Sequence, residues 1–211
     1  MIAIRPLLVT LTLLFAADAS AKTLTIDLDV SASSPVLSKE FAAVAANHAR
    51  AEITALQPGD WVVVRRFGMR NLKNVPSEKI RITRQRRAGA VAESVARYIA
   101  ALPSTTSEAD NQTNLLALFQ FGSYDCSNER HRIVIYTDGI EASATMSDRA
   151  FLSGKPLPPP PTTLKSCEVV FFGLGQSKDG DLPPAITESI RQRWTEYFKV
   201  AGAKFTAIID P

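Results

Sequence analysis

Leu24-Thr25-Ile26-Asp27-Leu28-Asp29-Val30-Ser31-Ala32-Ser33 is a mostly apolar run that closes in a cluster of oxygen-bearing side chains. Leu24 to Asp29 predicts a β-strand, and Asp29-Val-Ser31-Ala-Ser33 the loop at its carboxyl end. Two other segments, far away in sequence, take the same kind of position. Thr113 stands in Asn111-Gln-Thr-Asn114, and Asp138 in the Tyr-Thr-Asp-Gly that closes a predicted strand from Arg132 to Tyr136. Asp29, Ser31, Ser33, Thr113 and Asp138 together offer carboxylate and hydroxyl oxygens. Such oxygens suit a hard divalent cation, Mg²⁺ or Mn²⁺, whereas soft metals prefer thiolate and imidazole. The set predicts a metal before it predicts a reaction.

The rest of the chain alternates strand and helix. Pro35 to Leu56 predicts a helix capped by Ser34, with Pro35 in its first turn, where a missing N–H costs nothing. Pro58-Gly-Asp60 ends it. Trp61 to Phe67 and Lys79 to Thr83 predict strands, Ala88 to Leu102 a helix stopped by Pro103, and Thr113 to Phe121 a shorter helix. Arg132 to Tyr136 and Glu168 to Leu174 have the apolar character of strands covered on both faces. Ile186, Ile190, Trp194 and Phe198 recur every four positions and make Ile186 to Ala201 an amphipathic helix stopped by Gly202, before a last strand, Phe205 to Ile209. This order predicts an α/β fold with a doubly wound, mostly parallel six-stranded sheet flanked by helices and one antiparallel edge strand. Ligands of such sheets bind beyond the carboxyl ends of the strands, where all three cation segments lie.

Met1 to Ala21 carries Arg5, an apolar stretch from Leu7 to Ala17 and Ala19-Ser-Ala21, the pattern of a secretory signal peptide cut before Lys22. The expectation is therefore an exported protein, periplasmic or secreted, with residues 22–211 as one domain and no transmembrane segment. Cys126 precedes one predicted strand and Cys167 the next. If those strands are parallel neighbours, both sulfurs lie at the end of the sheet opposite the cation, and an oxidising compartment favours a disulfide between them; two buried thiols are the alternative.

Asp-x-Ser-x-Ser after the first strand, Thr-Asn at the start of a mid-chain helix and Thr-Asp-Gly after an apolar strand resemble the metal-ion-dependent adhesion site of the von Willebrand factor type A domain. The closing Arg191-Gln-Arg-Trp-Thr-Glu-Tyr-Phe-Lys-Val-Ala-Gly-Ala203 is similar to that family's last helix and turn. The resemblance covers nearly the whole mature chain. It implies that Ser31, Ser33 and Thr113 bind the ion directly, while Asp29 and Asp138 hold it directly or through water. Such a set leaves the ion under-neutralised, so an acidic side chain from a protein partner completes the shell, and the implied activity is binding without catalysis. Ala32, Asn111-Gln112 and Asp27 depart from the family's usual residues.

Asp27-Leu-Asp29 also fits the start of a haloacid-dehalogenase-type phosphatase, with Asp27 as nucleophile, Thr137 as the later hydroxyl and Lys178-Asp-Gly-Asp181 supplying a late Lys and acids. That late segment lacks the spacing expected after a strand, and Thr113 would have no role. A third alternative is a structural module of an envelope or secretion assembly with an inactive metal site. His48 and His131 are the only histidines, too few for a zinc quartet beside paired cysteines, and Ser31 has no His partner for a triad.

Net charge is +3, but between Arg65 and Arg87 nine Lys or Arg face one acid, Glu78. Such a basic stretch either guards a sheet edge or meets an acidic partner or anionic envelope surface. Nucleic acid is excluded by the predicted export and the lack of interleaved aromatics. Glu141 to Ser166 forms a long connection containing Pro156-Leu-Pro-Pro-Pro-Pro161, a stiff polyproline II stretch that either crosses the surface after a short helix near Met146 to Phe151 or flanks the cation site.

Overall fold

Thr23, Thr25, Asp27 and Asp29 alternate with Leu24, Ile26 and Leu28 and give β1 (Lys22–Asp29) two unlike faces. The computed structural model describes residues 21–68, 77–106, 111–124, 126 and 130–211. The predicted leader, apart from residue 21, lies outside the described residues, as do residues 69–76 of the basic stretch. After β1 come α1 (Lys39–Thr54), β2 (Trp61–Phe67), β3 (Ser77–Arg81), α2 (Ala88–Thr105), α3 (Leu115–Phe121) and β4 (Arg130–Tyr136). They are followed by α4 (Asp148–Leu152), β5 (Glu168–Phe172), a small ribbon of β6 (Gln176–Ser177) and β7 (Gly180–Asp181), α5 (Pro184–Ala201) and β8 (Lys204–Ile208).

Six strands form one sheet in the order β3-β2-β1-β4-β5-β8. All neighbours are parallel except β3, which runs antiparallel to β2 at one edge. The doubly wound α/β fold expected from the sequence is therefore the fold observed. Leu24, Ile26 and Leu28 pack under α1 and α2, whose facing Ala45, Ala49, Ala92 and Ala96 belong to the same buried cluster. The opposite face is covered by α3, α4 and α5, where Phe119, Phe171, Trp194 and Phe198 form an aromatic core.

Several boundaries differ from expectation for local reasons. The helix expected from Pro35 to Leu56 is a 3-10 turn, Pro35–Leu37, followed by α1, because Ser38 adopts an extended backbone and its Oγ accepts from Phe41 N at 3.1 Å. Ser34 caps only the turn, accepting from Val36 N at 3.3 Å. α2 continues past Pro103 to Thr105, since a proline in the last turn removes one N–H without opening the rest. β3 ends two residues early because Ile82 N turns back to Asp60 O at 2.8 Å. α3 begins at Leu115, with Asn114 Oδ1 accepting from Ala117 N, as Thr113 is drawn into a backbone pair with Ala142. The β6–β7 ribbon had no counterpart in the sequence reading.

Cys126 and Cys167 form a disulfide with Cα atoms 5.1 Å apart, beside the amino end of β5. The Pro156 to Pro160 stretch lies along α5, beside Arg193, Glu196, Tyr197 and Val200, so it crosses the surface rather than flanking the cation segments. Among the described residues no helix is long and apolar enough to cross a membrane.

Candidate cation site

The carboxyl end of β1 turns sharply after Asp29. Val30 N donates to Phe67 O at 2.9 Å, Ser34 N to Ser31 O at 3.1 Å, and Ser34 Oγ to Asp29 O at 2.7 Å, so the Asp29 to Ser34 loop is held by its own hydrogen bonds and by β2. Asp29 is fully buried. Its Oδ1 accepts from Ser31 N at 2.9 Å and its Oδ2 from Thr137 Oγ1 at 2.8 Å. The second loop approaches from β4: Asp138, also fully buried, accepts from Ile140 N at 2.8 Å through Oδ1 and from Ser33 Oγ at 2.8 Å through Oδ2. Asp29, Ser31, Ser33 and Asp138 thus form one linked constellation.

Three supports fix the Asp138 loop. Trp194 Nε1 on α5 donates to Gly139 O at 2.7 Å, and Gly175 N donates to Asp138 O at 2.9 Å. Gly139 has φ +81°, and a Cβ there would come within 2.5 Å of Leu174 Cδ1, so a side chain is excluded by both conformation and space. Thr113 joins indirectly. It is buried and pairs with Ala142 through both backbone bonds, 2.9 and 2.8 Å, which ties the third segment to the chain just beyond Asp138. The ribbon adds a further tie, Lys178 N to Ser33 O at 3.0 Å.

The electrostatics are those of anions short of a counter-charge. Burial, then the neighbouring charge of Asp138, pushes the Asp29 carboxyl well above its ordinary range, against the pull of its hydrogen bonds. Burial likewise raises Asp138. Ser31 Oγ is buried and makes no hydrogen bond of normal geometry, although it lies near enough to the Asp29 carboxylate to favour its charged form. A buried hydroxyl without a normal hydrogen bond costs about 1–3 kcal/mol, so its retention needs a reason. Among the described residues no group of three or more His, Cys, Asp or Glu is placed to hold a metal; this set has two carboxylates, and its other oxygens are hydroxyls. Those residues fit a hard cation: Ser31 Oγ makes no hydrogen bond of normal geometry, Ser33 donates a hydrogen bond to Asp138 and keeps its lone pairs, and two adjacent acids lack a positive neighbour.

Asp27, one of the departures from the type A pattern and the nucleophile of the phosphatase alternative, is wholly buried and bound on both oxygens. Arg65 donates to Oδ1 at 2.7 Å and to Oδ2 at 3.1 Å, and Tyr124 Oη donates to Oδ2 at 2.5 Å. Arg65 also donates to Gly122 O. Asp27 and Arg65 are register partners on adjacent parallel strands, and that pairing of opposite charges in two strands was the signal available for it. Thr137, considered in the sequence only as a phosphatase hydroxyl, instead supports Asp29. Glu141 was missed. It is buried, accepts from Leu116 N at 3.0 Å at the start of α3, and stands next to the Thr113 partner.

No protein-family model matches this chain, and no curated protein matches it. Among solved structures it is similar to an aerotolerance-related membrane protein from Bacteroides fragilis NCTC 9343, determined with multiple mutations to serines. The likeness covers 90% of this chain and 92% of that one at 14% identity, with a TM-score of 0.47. Nothing about function transfers at that similarity.

Proposed function

We propose that this chain is an exported type A-like module that binds a protein partner through a divalent cation, Mg²⁺ or Mn²⁺, and performs no catalysis. Ser31, Ser33 and Thr113 hold the ion directly, Asp29 and Asp138 hold it directly or through water, and an acidic side chain of the partner completes the shell. The observation that carries this reading is the buried Ser31 Oγ, without a hydrogen bond of normal geometry, beside two buried acids whose carboxyls are raised. The phosphatase alternative loses ground because Asp27, its nucleophile, is engaged by Arg65 and Tyr124.

A ligand that binds only the folded state stabilises it by about 2.7 kcal/mol at a hundred times its Kd. For a chain of this size that is a rise in melting temperature of roughly 5–10 °C. Differential scanning fluorimetry with Mg²⁺ or Mn²⁺ against EDTA is expected to show that rise, and Asp29→Ala to abolish it. An undiminished response in Asp29→Ala would mean the ion binds elsewhere.

A further inference from the structure

Five cations on and just after β3 stand apart from the paired ones by lying together on one sheet edge. Arg50, Arg65, Arg132, Arg191 and Lys204 are all ion-paired. Lys79, Arg81, Arg84, Arg86 and Arg87 are all exposed, and none is ion-paired with a described residue. These five lie on β3 and in the turn after it, which is set by Thr83 N to Arg86 O at 3.0 Å and Arg86 N to Thr83 Oγ1 at 2.9 Å.

β3 is an edge strand, with no strand on its outer side among the described residues. Alternation gives it two chemically different faces. On one, Lys79 and Arg81 stand 4.7 and 5.6 Å from the ring centre of Trp61, which holds both cations out beside the edge. On the other, a cavity of about 430 Å³ opens between β3 and α2, where Val64, Ile80, Val95 and the exposed Tyr98 form an apolar floor beside the charged Arg66 and Glu78.

We propose that β3 receives an extended acidic peptide as an added strand, its side chains alternating acidic and apolar. The acids meet Lys79 and Arg81, the apolar residues enter the cavity beside Ile80, and the backbone pairs with the open edge. A second copy of this chain is a poor occupant, because two β3 edges would set like charges against each other. A lipid surface would use the charge but neither the edge nor the cavity. This surface is separate from the cation site and needs no cation.

The test is fluorescence anisotropy with a labelled synthetic peptide alternating Glu and Val, against a peptide of the same composition with the Glu and Val residues in two blocks, both in EDTA. Trp61 emission reports the location, since Trp194 is buried, and Trp61→Phe identifies its contribution. The alternating peptide is expected to bind in preference to the blocked one. Arg81→Glu and Lys79→Glu, both exposed, are expected each to weaken it by about tenfold, while Asp29→Ala leaves it unchanged. The proposal is overturned if neither peptide binds, if the blocked peptide binds equally well, or if vesicles of anionic phospholipid bind while the alternating peptide does not.

Discussion

Asp29 and Asp138 make the site's response to pH a test of what neutralises it. Both carboxyls are raised chiefly by burial, so in the absence of a cation their contribution to stability is full below the unfolded carboxylate value, near pH 4, and is lost as pH rises through the raised folded values. In EDTA, Asp29→Asn is expected to melt higher than the native protein at pH 8, with the gap closing toward pH 4. With Mg²⁺ the order at pH 8 reverses, because cation binding requires ionised carboxylates. Thermal melts in the two buffers across that range decide it; the same order in both would disconnect these acids from the ion. Asp27, by contrast with those two, has a counter-charge in contact, Arg65. Arg65→Met leaves a buried carboxylate without its cation and is expected to cost about 3–5 kcal/mol in urea unfolding, whereas Asp27→Leu with Arg65→Met recovers more than half of that loss. An equally unstable double variant would show that the pair contributes far more than it costs to bury.

β1 shows what the sequence made legible and what it hid. The run from Leu24 to Asp29 announced a strand, and its oxygen-rich end announced a ligand site, because both readings depend on residues adjacent in the chain. The alternation inside it was harder, since Thr25 and Asp27 look like a solvated face. They are buried because distant elements answer them: Thr25 Oγ1 meets His131 Nε2 at 2.8 Å, and Asp27 meets Arg65 and Tyr124. The small ribbon β6–β7 escaped notice for a related reason. Two-residue strands have no periodicity, and its ties, Gly175 N to Asp138 O and Lys178 N to Ser33 O, reach other loops. The link between Cys126 and Cys167 was legible because adjacent parallel strands place both amino ends together. Its loss in Cys126→Ser with Cys167→Ser is expected to cost about 3–4 kcal/mol, given a separation of 41 residues. Since it lies at the amino end of β5, away from the carboxyl-end loops, the Mg²⁺-induced rise in melting temperature is expected to survive in that variant. A lost cation response would imply that the amino end of the sheet shapes the site.

The sheet as a whole sets the distance between the two proposed surfaces. Arg81 pairs with Trp61, and Trp61 with Thr23, so the cations of β3 lie level with the amino end of β1, while Asp29 stands at its carboxyl end. Six residues of strand at about 3.3 Å each separate those levels by roughly 20 Å, with two strand spacings of nearly 5 Å across. That exceeds the Debye length of about 8 Å at physiological ionic strength, and the residues between are packed strand rather than a chain of charges. Asp29→Ala and Arg81→Glu are therefore expected to act additively on stability, within about 0.5 kcal/mol, when each is measured alone and together by urea unfolding in Mg²⁺. Acidic-peptide binding should fall with added salt and ignore EDTA, while partner binding at the carboxyl-end loops should fail in EDTA. A coupling energy well above that margin would mean that β1 and β2 transmit a rearrangement between the surfaces, and would place the buried Asp27–Arg65 pair, which lies between them on those two strands, in its path.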